Sequence, residues 1–355
     1  MSVTSSTALS AAAQTALAAT ADKMLAEGQG ILAADESSGT IEKRFKSIRM
    51  PSTEETRCAW RRLLFSSAEA MRPYIGGVIL FEETLFQKDA DGTLLRDLIR
   101  TQDCVVGIKV DKGAKPLALC PDETITEGLD DLRTRLTTYY DAGARFAKWR
   151  AVLHMGARTP SRYAVSANME ALARYAALAQ EVGLVPIVEP EVLMDGAHDI
   201  AAHERATRMS LALLYRALFA ARVWLEGTVL KPNMVLSGSD CAQQADEDEV
   251  ATRTLNVLRK TVPAAVPGIA FLSGGQSDLK ATAHLDRMNR QRAKLALPWR
   301  LSFSYGRALQ AAPLACWRGE DKNLSPAQAA FVHRAKMNGL ATQGQWRAEM
   351  ESESA

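Results

Sequence analysis

Cysteine is sparse and unpatterned in this chain. There are five in 355 residues (Cys58, Cys104, Cys120, Cys241 and Cys316), an odd number with no CxxC spacing. That speaks against a disulfide framework and fits reduced thiols in a cytoplasmic protein. No apolar run is long enough to span a bilayer. Residues 5–21, rich in Ala, Ser and Thr, have no basic segment before them and no continuous apolar centre. They read as an Ala-rich helix and not as a signal peptide. An excess of charge of either sign is also missing: 43 Lys and Arg against 41 Asp and Glu leave a formal net charge of +2. Such a balance gives no general attraction to nucleic acid or to a membrane surface. The five histidines (His154, His198, His203, His284 and His333) form no HxH or HExxH group, which disfavours a catalytic metal. No Gly-rich dinucleotide fingerprint follows the first strand-like run, which weakens an open nucleotide-binding sheet.

What is present is a globular composition, 47% hydrophobic and 24% charged, able to bury a large core. Eight β-prone runs recur at even intervals, at 30–35 (GILAAD), 76–82 (GGVILFE), 105–111 (VVGIKVD) and 145–152 (RFAKWRAV), then at 185–191 (VPIVEPE), 226–233 (EGTVLKPN), 268–275 (GIAFLSGG) and 301–307 (LSFSYGR). Segments of helical periodicity lie between them. Ser52-Thr53-Glu54-Glu55 predicts a capping box. Helices are expected over 127–141 and 168–182, ahead of Gly143 and Gly183. Ser325-Pro326-Ala327-Gln328 predicts a cap, a proline at the first helical position and a glutamine at the third. Alternation of strand and helix argues an α/β fold with a parallel sheet, and eight repeats favour a closed (β/α)8 TIM barrel. No linker or repeat interrupts it, so residues 1–355 read as one catalytic domain, with an N-terminal helix and a short mobile tail over about 341–355.

In such a barrel the chemistry sits where the strands end. Lys231 ends an apolar run at Pro232. A lysine in that setting is poorly solvated, and burial favours the neutral amine that can attack a carbonyl. The other run ends carry Asp35, Lys109 and Asp111, Lys148 and Arg150, Glu189 and Glu191, Ser273 and Arg307. Residues two apart on a strand share a face, so Lys148 with Arg150, and Glu189 with Glu191, project together. Charges at the ends of buried strands must form one network. The ring suits Schiff-base chemistry. Lys231 would be the nucleophile, Lys148 the cation that favours its neutral form, Glu189 or Glu191 the proton shuttle and Asp35 a second base for a substrate hydroxyl. The protonated imine is itself the electron sink, so no cofactor or metal is needed. Leu272-Ser273-Gly274-Gly275 and Ser304-Tyr305-Gly306-Arg307 read as phosphate cradles, and Lys43, Arg44, Lys109 and Arg150 as a second basic group across the rim. Two such groups flanking the lysine imply an extended small-molecule substrate with phosphate at both ends.

The segments GILAADES, IGGVILFEET, VVGIKVDKG, FAKWR, VPIVEPE, LEGTVLKPNMV, FLSGGQS and SFSYGRALQ, in this order from about residue 25 to about residue 344, resemble class I fructose-1,6-bisphosphate aldolases. The resemblance implies a cytoplasmic, homotetrameric (β/α)8 enzyme of glycolysis and gluconeogenesis. Its reaction would be the reversible cleavage of fructose 1,6-bisphosphate to dihydroxyacetone phosphate and glyceraldehyde 3-phosphate without metal. By the same resemblance Lys231 forms the imine, Glu189 is the main acid/base with Glu191 assisting, Lys148 tunes the site and Asp35 takes the C4 hydroxyl proton. Ser273, Gly274, Gly306 and Arg307 correspond to the C1-phosphate site, and Ser37, Thr40, Lys43, Arg44, Arg57, Lys109 and Arg150 to positions around the C6-phosphate. Thr40 stands where animal members carry a serine, and the hydroxyl survives. Animal members also have a longer tail ending in a tyrosine that assists proton transfer on the enamine, whereas residues 346–355 contain none. Two other readings are a different Schiff-base barrel, such as a transaldolase-like or decarboxylating lyase, and a barrel kept as a non-catalytic scaffold. Two phosphate groups argue against the first, and the complete ring of charged residues against the second.

Overall fold

Along each predicted run, alternate residues must face opposite sides; two packed layers result. In the computed structural model, which describes residues 9–352, the eight runs close into a barrel. Its strands are β1 (Gly30–Ala34), β2 (Ile75–Leu80), β3 (Val105–Lys109), β6 (Phe146–Leu153), β7 (Val185–Val192), β8 (Val229–Leu230), β9 (Gly268–Phe271) and β10 (Arg300–Tyr305). Between β3 and β6 lies an antiparallel hairpin, β4 (Ala114–Pro116) with β5 (Thr124–Thr126). Every barrel strand pairs in parallel with its neighbours, and β1 pairs with β10 to close the ring. The helices follow in chain order as α1 (Ala11–Met24), α2 (Ser38–Lys46), α3 (Glu54–Phe65), α4 (Ala68–Tyr74), α5 (Glu82–Phe86), α6 (Leu95–Thr101) and α7 (Leu132–Asp141). They continue as α8 (Arg162–Val182), α9 (Ile200–Ala220), α10 (Glu247–Thr261), α11 (Asp278–Leu295), α12 (Arg307–Trp317) and α13 (Leu324–Thr342).

Strand parity separates the two layers. Ala147, Trp149 and Ala151 on β6 pack outward with the helices, while Phe146 joins Ile31, Ile79, Val105, Val185, Val229 and Ala270 inside the barrel. Gly107 makes room for that phenylalanine, since a Cβ there would lie 2.2 Å from the Phe146 ring. Leu17, Ala21 and Met24 of α1 pack on the same interior cluster at the strand starts. Thus α1 stops the lower end of the barrel, and the inward positions turn from apolar to charged toward the other end.

Several expected boundaries shift for local reasons. The capping box uses Thr53 and Thr56, not Ser52 and Glu55: the Thr56 N–H donates to Thr53 Oγ1 at 3.2 Å and the Thr53 N–H to Thr56 Oγ1 at 2.9 Å. The helix expected from residue 127 starts at Leu132, because the Glu127 backbone is bonded to Lys112 and Gly113 in the hairpin. Instead of starting at residue 168, α8 begins at Arg162, where the Ser161 hydroxyl caps the Ala164 N–H at 3.1 Å. At the last helix a 3-10 turn (Asp321–Asn323) runs straight into α13, so Leu324 is already helical and Pro326 is its third residue. That position tolerates proline, since the first-turn N–H groups have no intrahelical acceptor. The sixth run forms only the two residues of β8 after a 3-10 turn (Leu225–Gly227). Residues 5–8 of the Ala-rich stretch and 353–355 of the tail lie outside the described residues. Within the tail, Glu351 accepts from the Trp346 indole at 2.8 Å, contacts His333 at 3.0 Å and pairs with Arg334.

His203 on α9 fixes the chain after β8 to the end of β7. The Leu236 N–H donates to its Nδ1 at 3.0 Å, so Nε2 carries the proton and donates to the Val192 carbonyl at 3.2 Å. Burial pulls this imidazole down from 6.5 to about 4, against the smaller upward effect of the Val192 bond. Between those values the unfolded chain binds a proton that the folded chain does not, so stability falls as pH is lowered from 6.5 toward 4. The loss from this one group is roughly 3 kcal/mol. Urea titrations across that range should show the decline, and His203→Gln should remove this share of it, leaving the part due to His284, which burial also lowers to about 4. A His203 ring titrating at or above 6.5 by NMR would remove the basis for the expectation.

Candidate active site

The inward parity that puts Phe146 in the barrel core puts Lys148 and Arg150 above it, and Glu189 and Glu191 above Val185 and Ile187. Asp35 follows β1, and Lys231 follows β8, where its backbone N–H still donates to the Val188 carbonyl at 2.8 Å. These groups form a chain of alternating charge. Lys148 Nζ lies 2.6 Å from Asp35 Oδ2 and 3.3 Å from Glu189 Oε2, and Lys231 Nζ lies 3.2 Å from Glu189 Oε1. Both lysine side chains and Glu189 are at most 5% exposed. Arg150 pairs with Glu191, while Lys109 Nζ lies 2.7 Å from Asp111 Oδ1. The Asp111 carboxylate also accepts the Arg150 N–H at 3.3 Å.

Burial raises the cost of charge here, and the network decides which groups keep it. For Lys148, desolvation is outweighed by Asp35, Glu189 and Asp111, so its ammonium is held protonated far beyond the usual lysine range. Desolvation acts against ionisation of Asp35 and Glu189, but the charges of Lys148 and Lys231 prevail and hold both carboxyls below their ordinary values. Glu191 goes the other way: burial, with the neighbouring Glu189 charge, outweighs Arg150 and pushes its carboxyl up. The two glutamates, equivalent by spacing, are therefore an ionised base and a more readily protonated acid.

A cavity of about 490 Å³ opens over this chain of charges. Asp35, Ser37, Thr40, Lys43, Arg44, Lys109, Lys148, Arg150, Glu189, Glu191, Lys231, Ser273, Gly274, Gly306 and Arg307 all line it. Ser37 is the residue before the first turn of α2; its hydroxyl makes no capping bond and lies 3.1 Å from that of Thr40. Arg57 does not reach the cavity, because Glu83 accepts from its Nε at 2.8 Å and Ser52 from its Nη1. The basic residues are also grouped differently from expectation. Since β1 and β10 are neighbours, the start of α2 lies beside the loop after β10, and a Cβ on Gly306 would lie 3.3 Å from Arg44 Nη2. Arg44 thus lies beside Gly306, whereas Lys109 and Arg150 stand on β3 and β6. Arg307 donates to the Gly274 carbonyl, joining the loops after β9 and β10.

Sequence reasoning passed over Glu36 and Arg61, and gave Ser304 no role of its own within the Ser304–Arg307 run. Glu36 has the opposite parity to Asp35, yet it too lines the cavity. It pairs with Arg44, lies 2.8 Å from Arg61 Nη2 and accepts from Gln310 Nε2 at 2.8 Å. A second acid beside Asp35 was the available signal; its partners on α3 and α12 lie too far along the chain to be read. Ser304, two residues after Ser302 on β10, lines the cavity with a buried hydroxyl that has no partner among the described residues.

Comparison with known proteins agrees with this architecture. The family profile described as fructose-bisphosphate aldolase class-I matches residues 16–355. A probable fructose-bisphosphate aldolase class 1 from Xylella fastidiosa (strain 9a5c) is 53% identical over 332 residues, covering 93% of this chain and 98% of that one. Fructose-bisphosphate aldolase 4, cytosolic, from Arabidopsis thaliana is 52% identical, covering 91% and 82%. The solved fructose-bisphosphate aldolase of Plasmodium falciparum superposes with a TM-score of 0.93 at 44% identity, covering 96% and 97%.

Arg61 depends on Glu36 for its charge balance, both side chains being at most 3% exposed. Glu36→Ala should therefore lower stability by about 3–5 kcal/mol through the uncompensated guanidinium. Chemical denaturation measures this, and a loss below about 1 kcal/mol would show that the pair can be dispensed with.

Proposed function

As a member of the class I fructose-bisphosphate aldolases, the chain catalyses the glycolytic cleavage of fructose 1,6-bisphosphate without metal, and we propose that it does so through an imine on Lys231. The observation that carries this reading is the buried Asp35–Lys148–Glu189–Lys231 chain of charges. In its neutral form, the Lys231 amine attacks the substrate's C2 carbonyl, and the resulting carbinolamine loses water to give the protonated imine. Glu189, 3.2 Å from Lys231 Nζ, carries protons between amine, hydroxyl and water in these steps. Glu191 assists, and its raised affinity for a proton suits the acid half of the exchange. Lys148 remains a fixed cation that stabilises negative charge developing on oxygen. Asp35 removes the C4 hydroxyl proton, the C3–C4 bond breaks and its electron pair passes into the imine. Glyceraldehyde 3-phosphate leaves, and the enamine is protonated at C3 before hydrolysis releases dihydroxyacetone phosphate.

Ser273, Gly274, Gly306 and Arg307 hold one phosphate by backbone N–H groups, a hydroxyl and a guanidinium. Ser37, Thr40, Lys43, Arg44, Lys109 and Arg150 surround the rest of the sugar phosphate. Arg57 takes part only through the position of α3. We read residues 1–355 as one catalytic domain acting as a cytoplasmic homotetramer. The location is supported by the relative named as cytosolic; among the described residues no helix is long and apolar enough to cross a membrane.

Borohydride reduction in the presence of dihydroxyacetone phosphate should place the three-carbon adduct on Lys231, and Lys231→Met should abolish both adduct and turnover. Asp35→Asn should slow cleavage by about 10²–10⁴-fold, the usual worth of a general base. It should still permit trapping, because dihydroxyacetone phosphate has no C4 hydroxyl. Turnover should persist in EDTA. An adduct on another lysine, or turnover by Lys231→Met, would refute the assignment.

A further inference from the structure

Lys231 and Glu189 stand 3.2 Å apart on strands that barely pair. The ladder between β7 and β8 covers only Ile187 with Val229 and Val188 with Leu230. Beyond the Lys231 N–H to the Val188 carbonyl, the next backbone bond between the two segments is that of the Ser239 N–H to the Met194 carbonyl at 2.7 Å. Pro190 has no N–H with which to continue the ladder, and Pro232 faces β9, its carbonyl accepting the Leu272 N–H at 3.1 Å. Both segments nevertheless run on, buried, with Glu191 and Val192 on one side and Asn233 and Met234 on the other.

Side chains replace the missing rungs. The Val192 N–H donates to Asn233 Oδ1 at 2.9 Å, and the Val192 carbonyl accepts from His203 Nε2 at 3.2 Å. Asn233 Nδ2 donates to Thr207 Oγ1 at 3.0 Å, while His203 Nδ1 accepts the Leu236 N–H at 3.0 Å. His203 and Thr207 lie one turn apart on α9, and both are buried with Asn233. A single helix face thereby ties the segment two residues after the lysine to the segment three residues after the glutamate. We propose that Asn233, anchored by Thr207 and seconded by His203, is the positioning residue that holds the Lys231 amine against the Glu189 carboxylate. The proposal rests on the reading of Lys231 as the imine lysine. Its physical basis is that a displacement of about 1 Å between reacting groups can cost on the order of 10²-fold in rate.

The test is the rate of borohydride trapping with dihydroxyacetone phosphate, together with kcat and KM for fructose 1,6-bisphosphate. Asn233→Ala should slow trapping and kcat together, by about 10–100-fold, and leave KM within about 3-fold. Thr207→Val, which keeps the Val192 rung but frees the amide that makes it, should slow both by a few-fold. Adding it to Asn233→Ala should cost nothing more, since it acts only through Asn233. A general loss of fold would lower the folded fraction, against which both rates are normalised, and the two losses would accumulate. Folded Asn233→Ala with an unchanged trapping rate overturns the proposal. If Asn233→Ala does not fold, Thr207→Val decides: slower trapping at unchanged KM supports it, and the parent rate overturns it. An adduct on another lysine in the parent enzyme brings down the underlying reading; an adduct on Lys231 at an unchanged rate in the variant brings down this proposal alone.

Discussion

The Lys148 ammonium lies between the carboxylates of Asp35 and Glu189, in a place where Lys148 and Glu189 are almost wholly buried and Asp35 is only 12% exposed. A charge in such a position is tolerated only with partners, and the partners are tolerated only with it. This mutual dependence fixes the ionisation pattern at the mouth of the barrel. Lys148 stays charged, Asp35 and Glu189 stay ionised beside it, and Glu191, one step further along β7, inherits the repulsion of Glu189. Acid and base are thus separated by their place in one network, although they share a strand, a face and a side-chain type.

The barrel makes that network possible by spending the lower half of each strand on apolar layers. Phe146 beneath Lys148, Val185 and Ile187 beneath Glu189, and Val229 beneath Lys231 give each charged side chain a rigid support two residues away. Phe146 in turn requires Gly107 on the adjacent strand. Close packing at this level is what keeps three strands from shifting under electrostatic tension. A second polar system, centred on Glu36 and Arg61, performs the same service for α2, whose Thr40, Lys43 and Arg44 line the cavity.

Much of this was readable from the chain. Eight runs with period-two parity specify a barrel and aim Lys148, Glu189 and Lys231 at one volume, because parity is a local property. What resisted reading was whatever depends on closure. The pairing of β1 with β10 is what brings Arg44 beside Gly306, and nothing in residues 44 or 306 announces that adjacency. Arg57 has the right charge and lies close in sequence to the phosphate-binding residues, yet Glu83, on a helix after the next strand, claims it. Helix starts were misjudged where a hairpin or a 3-10 turn took residues that propensity alone would have assigned to a helix, as at Glu127 and Leu324. In the tail, a composition that reads as disordered up to residue 352 contains Trp346 and Glu351, whose hydrogen bonds bring it back against α13.

The seat of α1 against the barrel interior has a further consequence. With Leu17, Ala21 and Met24 filling the lower opening, the interior is a vessel with one mouth. No water file can reach Lys148 or Glu189 from beneath, so the protons that the reaction moves must come in and go out beside the sugar itself. A bound substrate therefore stands across the path its own protons take, and the departure of glyceraldehyde 3-phosphate reopens that path before the enamine is protonated at C3.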